Sequence, residues 1–441
     1  MSSRPDRERI LPAEPIDRLI GPLERFLHVE AASGIVLLAC TLAALVFANT
    51  GLAPRYLALW QMHVTFGIGS FELSLSLQHW IDDALMAVFF FVVGLEVKRE
   101  IVLGELRELR RAALPIVAAA GGMAGPALVY LALLHGQPAA RGWGIPMATD
   151  IAFVVGCMAL LSSRVPKALR VLLLSIAIAD DIGAILVIAI GYTAEIHLTA
   201  LALGFLGLGL VVVLGRLGVR STLVYSLIGA LVWLAFHESG VHATIAGVAL
   251  GLLTPARSHI GEGTLRRIVS QAAARMQGEE TQTMDQRAGR VRRFQRIARE
   301  TVSPLEYLEA AIHPWVGFVI MPLFALANAG VAFRVSDFAH PVALTVAAGL
   351  VLGKTAGVLV SSWLATRLGI ARLPEGVGWS VMAAGALLTG IGFTMSLFVA
   401  GLALEGADLD AAKVGILAGS LVSALLGMGA LARCLPRGTG A

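Results

Sequence analysis

Four ionisable residues stand inside long apolar stretches of this sequence: Asp150 in IPMATDIAFVV, the adjacent Asp180 and Asp181 in SIAIADDIGAIL, and Lys354 in LVLGKTAGVL. A charge at the centre of a bilayer costs roughly 2.5–3.5 kcal/mol even on the lenient insertion scale, so each needs a reason to be there. A structural ion pair would account for any one of them; four at a common depth point to a built polar site. Neighbouring residues on a helix project about 100° apart, so Asp180 and Asp181 cannot both aim at one partner side chain. One can pair with Lys354 while the other faces a water-filled cavity. Two carboxylates in a poorly solvated place resist being ionised together, which suits them to trade a proton for a cation. Hard oxygen ligands fit a small alkali cation far better than a soft transition metal.

The backbone around these residues carries matching signals. Pro146 precedes Ala148-Thr149-Asp150, where a proline ring and a hydroxyl interrupt a helix. Thr389-Gly390-Ile391-Gly392 weakens another apolar stretch at its centre, although ordinary glycine packing would also explain those two glycines. Interrupted helices at corresponding positions of two halves point to a transporter substrate site.

The elements that must position these residues are membrane spans. Of the 441 residues, 57% are hydrophobic and 15% charged, with 48 glycines. An ordinary soluble chain carries about 25% charged residues and could not hide so much apolar side chain. The fold class expected is an all-α polytopic membrane protein. Windows of about 20 apolar residues predict twelve transmembrane helices, near 31–50, 79–97, 112–135, 142–161, 168–192, 197–215, 221–237, 239–254, 311–332, 341–366, 376–403 and 411–433. Asp150 then falls in span four, the Asp180-Asp181 pair in span five and Lys354 in span ten. Spans four and eleven, the middle members of the triplets 3–5 and 10–12, are the ones expected to be broken.

Basic residues orient these spans. With both termini in the cytoplasm, 29 of the 34 Lys and Arg residues fall inside, Arg55, Arg141, Arg334 and Lys413 fall outside, and Lys354 lies within a span. That asymmetry is the positive-inside pattern, so the net charge of +4 reflects topology rather than nucleic-acid binding. The chain divides into a cytoplasmic N-terminal segment (1–30), spans one to eight (31–254), a basic cytoplasmic loop (255–310), spans nine to twelve (311–433) and a tail (434–441). The first thirty residues lack the apolar core of a cleaved signal peptide. The three cysteines form no CxxC pair and no disulfide framework.

Two connections stand out. Residues 63–76 alternate Val64, Phe66, Ile68 with Phe71, Leu73, Leu75 around Gly69-Ser70, the pattern of an extracytoplasmic β-hairpin with a type II′ turn. In the 255–310 loop, Val291, Phe294 and Ile297 at helical spacing suggest an amphipathic surface helix, a merely solvated loop being the alternative for residues 270–290.

The strings ALMAVFFFVVGLEVKRE (84–100), ATDIAF (148–153), AIADDIGAI (177–185), SGVHATIAGV (239–248), HPWVGFVIMPLFALANAGV (313–331) and TGIGFTMSLF (389–398) closely resemble the NhaA family of bacterial sodium/proton antiporters, from about residue 22 to 430 apart from much of 258–300. The resemblance implies inverted-topology repeats over spans 3–5 and 10–12. It implies that Asp180 and Asp181 bind sodium or protons, that Lys354 pairs with Asp180, and that Asp150, beside Thr149, compensates the facing ends of the crossed, broken spans four and eleven, with Gly390 and Gly392 in the second break. It places Asp83 on a cytoplasm-connected path of helix two. Glu96, Arg99, Glu100, His242 and Glu309 match positions associated with pH response; a packed histidine and an interfacial charge cluster are the alternatives. The activity implied is electrogenic exchange of one sodium or lithium ion for two protons, without a cofactor, in the bacterial inner membrane, by a homodimer joined through the hairpin. One departure stands just ahead of Glu309, where Glu306 and Tyr307 occupy positions expected to be basic.

Other classes fit poorly. An intramembrane aspartyl protease is expected to carry GxGD, whereas this chain has Ala179-Asp180-Asp181-Ile182-Gly183, and His237-Glu238 is not followed by the rest of an HExxH zinc site. A passive cation channel is the remaining rival, distinguished by whether sodium moves without protons.

Overall fold

The computed structural model describes residues 30–68, 71–161, 164–193, 196–219, 221–257 and 302–435. The Gly69-Ser70 turn, the helix expected over Val291, Phe294 and Ile297, and the first 29 residues lie outside this range. Chain order begins with α1 (Glu30–Ala48) and the short α2 (Ala53–Gln61), which turns 114° from α1. The hairpin β1 (His63–Ile68) and β2 (Phe71–Ser76) follows, antiparallel, with Val64 opposite Leu75 and Phe66 opposite Leu73. Next come α3 (77–102), α4 (Leu109–Leu133), a 3₁₀ stretch (Pro138–Met147) leading into α5 (Ile151–Leu160), α6 (Lys167–Gly191), α7 (Leu198–Arg216), α8 (Thr222–Glu238) and α9 (Thr244–Leu253). After the basic loop stand α10 (Pro304–Asn328), α11 (Pro341–Arg367), α12 (Trp379–Thr389), α13 (Phe393–Ala403) and α14 (Gly406–Cys434).

Six of these helices, α4, α6, α7, α10, α11 and α14, are each long and apolar enough to cross a membrane. The 3₁₀ stretch with α5, bent by 43°, and α12 with α13, bent by 45°, are so as pairs. Helices α8 and α9 are apolar but shorter. Outward-facing side chains such as Leu203, Phe205 and Leu206 of α7 are largely exposed, as lipid-facing residues are. Polytopic membrane architecture with a small two-stranded sheet is thus established. Lys413, expected at the outer end, is buried in the first turns of α14.

The two triplets around the breaks form the centre. Helix α4 packs on α6 and α11, and α14 packs on α11 and α12. The α4–α11 contact is made by small residues: a Cβ at Gly125 would collide with the Gly353 carbonyl, and one at Gly357 with that of Gly121. Backbone contact of this kind lets helices approach closely without a hydrophobic driving force, and it brings Lys354 of α11 up to the face of α6. Residues 349–354 make a π-helical turn ending on that lysine, and a second π-helical turn, Trp80–Leu85, holds Asp82 and Asp83. Such bulges frequently occur at functional positions. Helices α3 and α9 lie side by side and run the same way: Gly247 abuts Ala87, and Lys98 Nζ donates to the Leu252 carbonyl at 2.6 Å.

Candidate ion-binding site

Both expected breaks occur. Ala148, Thr149 and Asp150 are non-helical, since Pro146 leaves the preceding turn as 3₁₀ and Asp150 begins α5 as its N-cap. Gly390, Ile391 and Gly392 separate α12 from α13. The two interruptions touch: the Asp150 backbone N–H donates to the Ile391 carbonyl at 2.7 Å, and the Ser396 hydroxyl donates to the Ile145 carbonyl at 2.7 Å. Glycine at 392 is a packing requirement, because a Cβ there would press on Ser396 Oγ, Leu350 and the Ala148 carbonyl.

Helix ends meeting in a low-dielectric place need compensating charge. Positive partial charge gathers at the N-termini of α5 and α13, and negative partial charge at the end of the 3₁₀ stretch. A single carboxylate serves both N-termini: Asp150 Oδ1 accepts from the Phe153 N–H at 3.2 Å, and Asp150 Oδ2 accepts from the Thr394 N–H at 3.1 Å and from the Thr394 hydroxyl. Lys354 serves the opposite end by donating to the Met147 carbonyl.

Lys354 also joins this crossing to the carboxylate pair. Its Nζ lies 2.6 Å from Asp180 Oδ2, and the Thr149 hydroxyl lies 2.7 Å from the same oxygen and 3.0 Å from the Thr389 carbonyl. Asp150, Asp180, Asp181 and Lys354 are each at most 2% exposed. Asp181 projects elsewhere, as the helical offset requires, and its Oδ1 is buried with no hydrogen-bond partner among the described residues; Asp180 Oδ1 is likewise unpartnered. Around it lie the charges of Asp180, Glu96, Lys354 and Asp150. The centre therefore holds one neutralised carboxylate and one uncommitted carboxylate. No group of three or more His, Cys, Asp or Glu side chains that could hold a metal occurs among the described residues.

The positions matched to pH response do not form one group. Arg99 of α3 is ion-paired with Glu309 of α10, and His313 Nε2 stands 3.9 Å from Glu96 Oε1. Glu100 is engaged separately, accepting from the Glu105 N–H at 2.9 Å and from the Ser175 hydroxyl at 3.4 Å. His242 is remote from them at the start of α9, with Nδ1 3.0 Å from Thr244 Oγ1 and its ring edge-on to Phe398. Glu306 is the N3 residue of a capping box with Ser303, so the acid found where a basic residue was expected closes the start of α10.

Asp83, expected on a cytoplasm-connected path, stands near the start of α3. It sits in the π-helical turn that follows β2 after the short stretch Leu77–His79, at the hairpin end of α3, about 20 Å of helix rise from Glu96. Asp83 and the hairpin lie towards the same end of α3, so the expected cytoplasmic path and the expected outer hairpin assign that end to opposite sides. Its partners there are His237 Nδ1 at 3.4 Å and Trp233 Nε1, which donates to its carbonyl at 3.2 Å. Neighbouring Asp82 accepts from Asn328 Nδ2 at 2.6 Å. The sequence reading omitted Asp82, Asn328, Thr394 and Ser396, and it named Thr389 only as part of the break and His237 only as an incomplete zinc motif; the WIDDAL and TGIGFTMS strings contained the signals, a doubled acid and hydroxyls close to a glycine break.

Comparison with known proteins agrees with this geometry. A family model described as Na+/H+ antiporter 1 matches residues 24–431. The chain is 53% identical over 429 residues to the Na(+)/H(+) antiporter NhaA of Rhodopirellula baltica, covering 97% of this chain and 98% of that one. It is 50% identical over 421 residues to the Na(+)/H(+) antiporter NhaA of Rhizobium meliloti, covering 96% of each. With Na(+)/H(+) antiporter NhaA 2 of Vibrio vulnificus it shares 46% over 418 residues, 95% of this chain and 93% of that one. The broken, crossed helices and their buried carboxylates thus belong to a chain that is a member of the NhaA family of Na+/H+ antiporters.

Proposed function

We propose that this protein expels sodium or lithium in exchange for protons, two protons entering per ion, by alternating access around the crossed breaks. The observation that carries the reading is the division of labour between adjacent aspartates: Asp180 is held by Lys354, while the buried Oδ1 of Asp181 beside it has no hydrogen-bond partner among the described residues. Sodium loads on Asp181 with help from Asp180 as protons leave, and neutral oxygens such as the Thr149 hydroxyl complete its surroundings. Lys354 bonds Asp180 when sodium is absent. A site with two bare carboxylates is too costly to move through the low-dielectric midplane, so the site changes sides carrying either the cation or protons. Exchange is electrogenic on this stoichiometry.

The same reading assigns twelve spans, an inverted repeat relating α4–α6 to α11–α14, both termini in the cytoplasm of a bacterium and the hairpin outside. Glu96, Arg99 and Glu309 sit at the opposite end from the hairpin and act on the cytoplasmic side, where their ionisation sets the pH response; Asp83 and His242 belong to the outer end. Two copies join by pairing hairpin edges.

Proteoliposomes test the reading. An imposed pH gradient should collapse on adding sodium or lithium and not otherwise, and the reversal potential should give the stoichiometry. Sodium equilibrating without proton movement would identify a passive channel.

A further inference from the structure

The capping of the second break is divided between two helices. An N-cap residue usually supplies its own side chain to the first turn, as Asp150 does for α5. Helix α13 cannot do so, since its N-cap is Gly392 and the crowding there excludes a side chain. Its first two N–H groups are satisfied from outside: Phe393 N–H donates to Ser420 Oγ at 3.1 Å, and Thr394 N–H donates to Asp150 at 3.1 Å. Ser420 belongs to α14, and Ser423, on the same face of that helix, lies beside Gly390 at the end of α12. Both serines are buried, and Ser423 Oγ has no hydrogen-bond partner among the described residues.

We propose that Ser420 is a positioning residue for ion exchange: a substitute N-cap that holds α13 from α14 and shares its positive end with Asp150. The path from it to the ion site is short. Ser420 fixes Phe393, the next residue binds Asp150, and the residue before Asp150 is Thr149, whose hydroxyl reaches Asp180. Without the serine hydroxyl, Asp150 alone satisfies the start of α13, and the break moves relative to Thr149 and Asp180. The site should still form but hold sodium less well.

This inference rests on the ion-site reading above, and the test separates the two. In proteoliposomes, Ser420→Ala should raise the sodium concentration for half-maximal proton movement about fivefold, the ratio matching loss of a typical helix cap, with little change in maximal rate. Ser420→Thr, which keeps the hydroxyl, should restore the normal value. Ser362→Ala, at a buried serine of α11 away from the breaks, should not change it. Should Ser420→Ala fail to fold, Ser420→Cys, a weak acceptor, should give a smaller shift in the same direction. An unchanged half-saturation in Ala or Cys, or equal shifts in Ala and Thr, overturns the role of Ser420. Normal sodium dependence in Asp181→Asn under the same conditions would overturn the site reading instead.

Discussion

Replacing Lys354 by methionine keeps most of its volume and removes its charge, which makes the Lys354–Asp180 pair open to a stability measurement. At 2.6 Å the attraction is about 6 kcal/mol at an effective dielectric constant of about 20. Desolvation of the two ions, several kcal/mol each, offsets most of that. The pair as a whole thus contributes little net stability, while breaking it from one side is expensive: about 3–5 kcal/mol for a buried charge left without its partner. Lys354→Met should therefore be strongly destabilised in thermal melts of the detergent-purified protein. Lys354→Met combined with Asp180→Asn should melt much closer to the unaltered protein than Lys354→Met does. The orphaned carboxylate can escape by taking up a proton, so the penalty in the single variant should be larger at alkaline pH than at mildly acidic pH. Additive losses in the double variant, or a pH-independent loss in the single one, would refute the pairing.

Three further outcomes follow from the same geometry. Asp150→Asn should fold but lose about 1–2 kcal/mol of stability and bind sodium more weakly, because an amide turns a donor towards one of the two N-termini that the carboxylate now caps; unchanged melting would count against its double role. Glu309→Gln breaks the ion pair with Arg99 and should shift the pH midpoint of exchange, which rises from mildly acidic to alkaline conditions as protons stop competing with sodium; complete loss of transport in a folded protein would place Glu309 in the transport site. Deleting residues 64–75 should lower the dimer fraction in detergent and leave exchange measurable, and a constant dimer fraction would separate the hairpin from assembly.

Legibility from sequence followed the cost of burying each group. Asp150, Asp180, Asp181 and Lys354 stand out because charge in an apolar run is expensive, and the approximately 100° offset of adjacent helical residues required that only one of the two aspartates face Lys354, though which one came from the family resemblance. The hairpin was legible through alternation over two six-residue strands. Thr394 and Ser420 carry as much of the geometry, yet a hydroxyl fits into a helix at small cost and leaves no mark on hydropathy. Their partners lie far away in the chain, Asp150 for Thr394 and Phe393 for Ser420, so only the fold brings them together. Helix α3 was legible as the span near 79–97 although Asp82, Asp83, Glu96, Arg99 and Glu100 depress its apolar character; π-helical geometry and cross-helix partners accommodate them. The end of the helix to which Asp83 belongs was also legible, since only the residues from Leu77 to Asp82 separate it from β2.

Sodium binding by the Asp181→Asn protein is the most direct test of the central claim. Purified and reconstituted, it should remain folded because Lys354, Asp180 and Thr149 keep their contacts, and it should lose both sodium binding by calorimetry and sodium-dependent proton movement. Near-normal sodium affinity together with sodium-dependent proton movement in this variant would contradict the account.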